Sequence, residues 1–202
     1  KRQLCNSGSY LGAKIVQEDL FVSTDCGVWT KKLNAPATSF VKAGPNDMHN
    51  NYTQSLHYDE ITKELFYANS RVYKVDLTAS TSQSFSPAED NVHISSIIEW
   101  KGNIYLGTEA SGVWRFKEGA WEEFNYGLSI QNNATPSVGR TKVFQLGVVN
   151  NGVDEFLCAA ISIGLFCLNE TEEGWSDVST PELQEYYYCL LYTSDAADES
   201  VS

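Results

Sequence analysis

The sequence predicts an all-β chain built from repeated four-stranded units, and three observations predict it. Short runs rich in aromatic and β-branched residues are split by glycine-containing turns, the pattern of a hairpin ladder. An apolar pair recurs as Val28-Trp29, Val72-Tyr73, Val113-Trp114 and Leu165-Phe166, at the roughly 40–50-residue spacing of a multi-strand repeat. The hydrophobic fraction is 42%, enough for a core, yet no run approaches the roughly 18 apolar residues of a membrane span.

The elements follow in order. In the first unit (about 11–41) the expected strands are 13–17, 20–23, 27–30 and 38–41. They are separated by turns at Glu18-Asp19 and Thr24–Cys26. The second unit (about 52–85) has expected strands 54–58, 65–68, 72–76 and 83–85, with Asn69-Ser70 as a turn. The third (about 93–124) is the clearest: 93–100, the Lys101-Gly102 turn, 103–107, a turn at Thr108–Ser111, 113–116, a turn at Lys117–Gly119, and 121–124. The fourth (about 143–178) has expected strands 143–149, 155–159, 165–168 and 175–178, with the turn Asn150-Asn151-Gly152. A fifth unit is expected to begin at 185–188.

Four strands per unit at this period describe the blades of a β-propeller. A strand held between two stacked sheets buries both faces, so the middle strands are nearly all apolar, as in Leu65-Phe66-Tyr67 and Ile104-Tyr105-Leu106. The outermost strand meets water and is mixed, as in Trp121-Glu122-Glu123-Phe124. A β-sandwich also has many short strands, but it needs no repeated apolar pair at blade spacing. The expectation is therefore an incomplete β-propeller, with about four four-stranded antiparallel blades plus the start of a fifth. An insertion at 127–140, rich in Asn, Ser, Thr and Pro, separates the third and fourth units. Such outer-to-inner connections share a face with the turns between second and third strands, and that face commonly carries binding.

The formal net charge is -12. An acidic surface repels phosphate backbones, so no nucleic-acid partner is expected. Cys5, Cys26, Cys158 and Cys167 form no C-x-x-C pair, and no metal or other cofactor is expected. Cys158 and Cys167 flank the Ser162-Ile163 turn and are placed to face each other across a hairpin. They form a disulfide in an oxidising compartment, or remain two buried thiols in a reducing one. Sequons at Asn51, Asn133 and Asn169 do not decide the compartment.

Candidate binding residues lie in loop-face turns: Asp25, Asp47, His49, Glu89, Asp90, His93 and Glu109. An acidic rim suits a basic peptide or protein patch. His57 lies within an inner strand and is expected to line the channel. No catalytic residue is assigned. The arginines are Arg2, Arg71, Arg115 and Arg140, and Arg71 and Arg115 begin or lie in third strands, away from the inner channel.

Several stretches carry resemblances. Ser111-Gly112-Val113-Trp114-Arg115 with Gly119-Ala120-Trp121 resembles repeats of bacterial two-component-regulator propellers and of the sialidase-like superfamily. Arg71-Val72-Tyr73-Lys74-Val75-Asp76 resembles third strands of tryptophan-aspartate-repeat propellers. Ser23-Thr24-Asp25-Cys26-Gly27-Val28-Trp29-Thr30 approaches the Asp-box, but Trp29 comes one residue early and Thr30 takes the final aromatic place. These resemblances imply a fold that hosts many functions. The expected function is a non-catalytic scaffold binding a protein, peptide or small ligand. The alternatives are a fragment of a sialidase- or glycosidase-like hydrolase, and the sensor portion of a larger receptor. A further resemblance concerns Cys189–Glu199, which is similar to a translated transposase-type sequencing adapter. Residues 189–202 are therefore expected to be non-native. Reading the transcript beyond the codon for Tyr188 checks this: further units should follow, whereas an unbroken 189–202 in the genuine message would remove the adapter reading.

Overall fold

This computed structural model describes residues 10–34, 39–43, 55–59, 64–68, 71–77, 81–87, 93–128, 141–150, 152–161, 164–168 and 174–179. They form four antiparallel four-stranded sheets, each a meander in chain order. The first is β1 (Tyr10–Val16), β2 (Asp19–Thr24), β3 (Gly27–Lys32) and β4 (Val41–Lys42). The second is β5 (Ser55–Asp59), β6 (Glu64–Ala68), β7 (Val72–Asp76) and β8 (Thr81–Ser84). The third is β9 (Ile94–Trp100), β10 (Asn103–Thr108), β11 (Val113–Lys117) and β12 (Ala120–Glu123). The fourth is β13 (Val143–Asn150), β14 (Glu155–Ile161), β15 (Gly164–Leu168) and β16 (Ser176–Asp177). The expected start of a fifth unit and the 189–202 tail lie outside the described residues.

The sheets stack in succession as propeller blades, with first strands β1, β5, β9 and β13 meeting along the inner side. The third unit follows the sequence expectation closely. The outer strands shift most: β4 starts at Val41 rather than before it, β8 ends at Ser84, and Trp175 lies just outside β16. Outer strands carry few apolar residues, so hydrophobic alternation places their ends poorly.

Alternation within each sheet divides the apolar side chains between two junctions. Val16, Phe21 and Val28 of the first sheet pack on Tyr58, Leu65 and Tyr67 of the second. Phe66, Ala68 and Val72 leave the other face of the second sheet to meet Ile97, Leu106 and Trp114 of the third. Trp100, Tyr105 and Val113 then meet Leu146, Ala159 and Phe166 of the fourth. The recurring apolar pair is thus split. Its first member faces the following sheet and its second member the preceding one, because neighbours along a strand point to opposite faces.

Hydrogen bonds repeat with the same period. The carbonyls of Val28, Val72, Val113 and Leu165 accept from the backbone N–H of Ala43, Phe85, Phe124 and Val178 at 2.8–3.0 Å. In the last three sheets the next residue caps the third strand. Val72 N–H donates to Ser86 Oγ at 2.8 Å, Val113 N–H to Asn125 Oδ1 at 2.7 Å, and Leu165 N–H to Ser179 Oγ at 2.9 Å. Indoles then tie one sheet to another: Trp121 Nε1 donates to Phe85 O, and Trp175 Nε1 to Phe124 O, each at 2.8 Å. On the inner side, Ser95 Oγ donates to Val143 O at 2.5 Å, and Ser96 Oγ accepts from Leu146 N–H at 3.1 Å.

Trp114 is 7% exposed within the junction of the second and third sheets. Trp114→Ala should destabilise the chain by about 3–5 kcal/mol in urea denaturation. A loss below roughly 1 kcal/mol would contradict the face assignment. Trp175→Phe keeps most of the buried ring but leaves Phe124 O without its donor, and should cost about 1–2 kcal/mol in the same assay.

Candidate functional site

The end of the stack where inner strands begin is built by the turns between second and third strands together with the connections between sheets. Entry to the inner strand is bulged in three sheets. Pairing skips from Tyr10↔Thr24 to Gly12↔Ser23, from Ile94↔Thr108 to Ser96↔Gly107, and from Val143↔Ile161 to Gln145↔Ala160. Leu11, Ser95 and Phe144 are the extra residues. Each bulge bends its strand where it reaches the rim.

In the first and third sheets a buried threonine opposite the bulge holds the adjoining turn. Thr24 Oγ1 donates to Gly27 O at 2.7 Å and accepts from Cys26 N–H at 3.2 Å. Thr108 Oγ1 donates to Gly112 O at 2.8 Å and accepts from Ser111 N–H at 2.8 Å. Each hydroxyl satisfies turn groups that would otherwise be buried without a partner. Asn125 adds a second brace to the third-sheet turn, with Nδ2 donating to Ser111 O at 2.9 Å. Gly112 has φ 71°, and a Cβ there would collide with the Asn125 amide, so this turn requires glycine.

The structure brings two predicted residues together. Glu109 N–H donates to the carbonyl of His93 at 2.9 Å, so half-buried Glu109 in the braced turn adjoins exposed His93. Thr141, leading into β13, joins the same patch by accepting from Gly112 N–H at 3.0 Å. Asp25 sits in the first-sheet turn, remote in topology from that pair. Its Oδ1 is buried without a hydrogen-bond partner among the described residues. Asp47, His49, Glu89 and Asp90 lie outside the described residues. Thr24, Thr108 and Asn125, which shape the rim, are not among the sequence candidates. Two signals mark them: a threonine closing the second strand before a glycine turn, and a polar residue following the aromatic end of the outer strand.

His57 lies in inner strand β5, half-buried, with its ring on the Phe66 side of the sheet and centroids 6.3 Å apart. Nε2 is buried without a partner among the described residues. Burial foremost, and then the Lys14 ammonium, push the His57 pKa down from 6.5 to about 4, against the opposing pull of Asp59.

Arg115 serves packing. Its guanidinium pairs with Glu122 at 2.6 Å, lies 4.0 Å from the Phe124 ring centroid and bonds Tyr105. Burial raises the Tyr105 phenol pKa despite that arginine. Cys158 and Cys167, directly paired in β14 and β15 with Cα atoms 4.1 Å apart, are joined as a disulfide. Cys26 is also disulfide-bonded. Among the described residues no group of His, Cys, Asp and Glu is arranged to hold a metal ion. None of them forms a helix long and apolar enough to cross a membrane.

No family model matches the chain, and no curated protein matches it. Solved structures do. The extracellular domain of a putative hybrid two component system from B. thetaiotaomicron superposes with TM-score 0.65 at 18% identity, over 88% of this chain and 23% of that one. The fold is that of a β-propeller. An ancestral GH74 enzyme matches at TM-score 0.60 and 12% identity, over 85% of this chain and 25% of that one. The WD40 beta propeller domain of Doa1 matches at 0.56 and 13%, over 82% and 52%. At these identities the likeness is one of fold. This chain spans about a quarter of the length of the first two structures.

The His57 environment makes a pH prediction. The folded state favours neutral imidazole, whereas the unfolded chain takes up a proton near the ordinary value of about 6.5. Stability present above that pH is therefore lost as pH falls towards about 4. Thermal melts at pH 7 and pH 4.5 should show a larger drop in Tm for the unmodified chain than for His57→Gln. Equal drops would contradict the assignment.

Proposed function

We propose that this chain is a non-catalytic propeller scaffold that binds a protein, peptide or small ligand on its turn-and-loop face. The observation that carries the reading is the third-sheet rim. Thr108 and Asn125 hold the backbone from within, and the turn sets Glu109 next to His93. A braced backbone carrying charged residues suits recognition, because little order has to be imposed on binding. Among the described residues, Arg115 is held in an ion pair and a ring contact, and the His57 ring lies beside Phe66. With a net charge of -12, the favoured partner is a basic peptide or a basic patch on a protein.

Two other readings draw on the structural likenesses. One is a sensor portion of a larger receptor, as the similar extracellular domain suggests. The other is part of a glycoside hydrolase, as the GH74 likeness suggests, with a carboxylate pair supplied partly from outside this chain.

Fluorescence polarisation against a panel of lysine- and arginine-rich peptides separates these readings. Charge reversal at Glu109 or Asp25 should weaken binding roughly fivefold each, about 1 kcal/mol. Glu118→Lys, in the opposite-face turn between β11 and β12, should leave it unchanged. Equal effects at all three positions would remove the rim as the binding face. Turnover of aryl glycosides above the blank would select the hydrolase reading instead.

A further inference from the structure

We propose that the outer face of the fourth sheet is a docking surface for another four-stranded propeller blade, one that carries a tryptophan in its outer strand. The argument rests on equivalent positions. Val28, Val72 and Val113 are each 0% exposed beneath the following sheet, whereas Leu165, at the same place in the hydrogen-bond repeat, is only half-buried. On the inner strands, Val16 and Trp100 are 4% and 5% exposed, but Val149 at the corresponding register is 49% exposed. Phe156 and Ala160 share this face and are half-buried. Among the described residues, no buried cluster covers it.

The middle of the face is the Cys158–Cys167 disulfide. It occupies the register held by Phe66 and Lys74 in the second sheet and by Tyr105 and Arg115 in the third. A disulfide is apolar and fixed, so it gives a sheet-to-sheet contact a rigid platform where the second and third sheets carry a ring.

The two indole ties define the occupant. Phe85 O and Phe124 O each receive an indole N–H from the outer strand of the following sheet. Val178 stands at the corresponding place, and its carbonyl receives no indole among the described residues. A matching blade therefore presents an apolar residue in its second strand and a ring in its third, as Leu106 with Trp114 or Ala159 with Phe166 do. It also supplies a tryptophan opposite Val178. The first sheet of a second copy is a poorer match. The Thr30↔Val41 pairing puts Phe40, which has no N–H on its ring, where Trp121 stands in the third sheet.

The test extends the full 202-residue chain with a Gly/Ser linker and a second copy of residues 141–179 carrying Cys158→Ser and Cys167→Ser, so that only the original fourth sheet holds the bond that is read. Dithiothreitol reduction of Cys158–Cys167 is followed by alkylation and peptide mapping. The added sheet should slow reduction by at least about tenfold. Trp175→Phe in the added copy alone should return part of that protection, about threefold. Leu165→Asp in the original fourth sheet should abolish the protection without changing reduction in the unextended chain. Reduction unaffected by the added sheet would overturn the proposal. So would protection that rises with protein concentration in the unextended chain, which would assign the face to a second copy.

Discussion

Each middle sheet of this protein has two apolar faces, and that constraint organises the structure. A sheet apolar on one side settles against a single layer and gives the other side to water. Here alternation sends Leu65 and Tyr67 one way and Phe66 and Ala68 the other, all almost fully buried. Such a sheet is stable only between two neighbours, so stacking in succession is the arrangement that buries both faces. Large rings fill the gap between sheets, and edge contacts such as Phe124 with Trp175, at 6.2 Å, run from one sheet to the next.

Stacking leaves polar backbone at both ends of every strand, and short polar side chains absorb it. Ser86, Asn125 and Ser179 take the N–H at the start of third strands. Thr24 and Thr108 close the turns, and Ser95 and Ser96 join neighbouring inner strands. These bonds brace the rim from within, so the same devices that stabilise the stack prepare a fixed surface on which Glu109 and His93 are displayed. Scaffold and candidate site are two consequences of one solution.

Blade architecture was legible in the sequence because it depends on local patterns: alternation, glycine turns and the repeated apolar pair. The third unit was read nearly to the residue, since its turns all contain glycine and its strands are dense in aromatics. Outer strands were read poorly, because Thr81–Ser84 is polar throughout and is held by pairing with β7 rather than by its own propensity. The candidate site was legible only as a face. The sequence put Glu109 and His93 on the rim, but their contact depends on a backbone bond between a turn and the entry of an inner strand. The inner-strand place of His57 was legible in the sequence, but the side of the sheet its ring takes depends on register.

By itself the sequence determined that this protein is all-β, that it repeats in four-stranded units, and that its surface is acidic. These follow from composition and period, which act over a few residues. Tertiary structure decided which face each member of the apolar pair occupies, which carbonyl each indole meets, and that the side chains of Cys158 and Cys167 are bonded. Those outcomes depend on register and on the bulges that set it, and register is fixed only when whole sheets pack together.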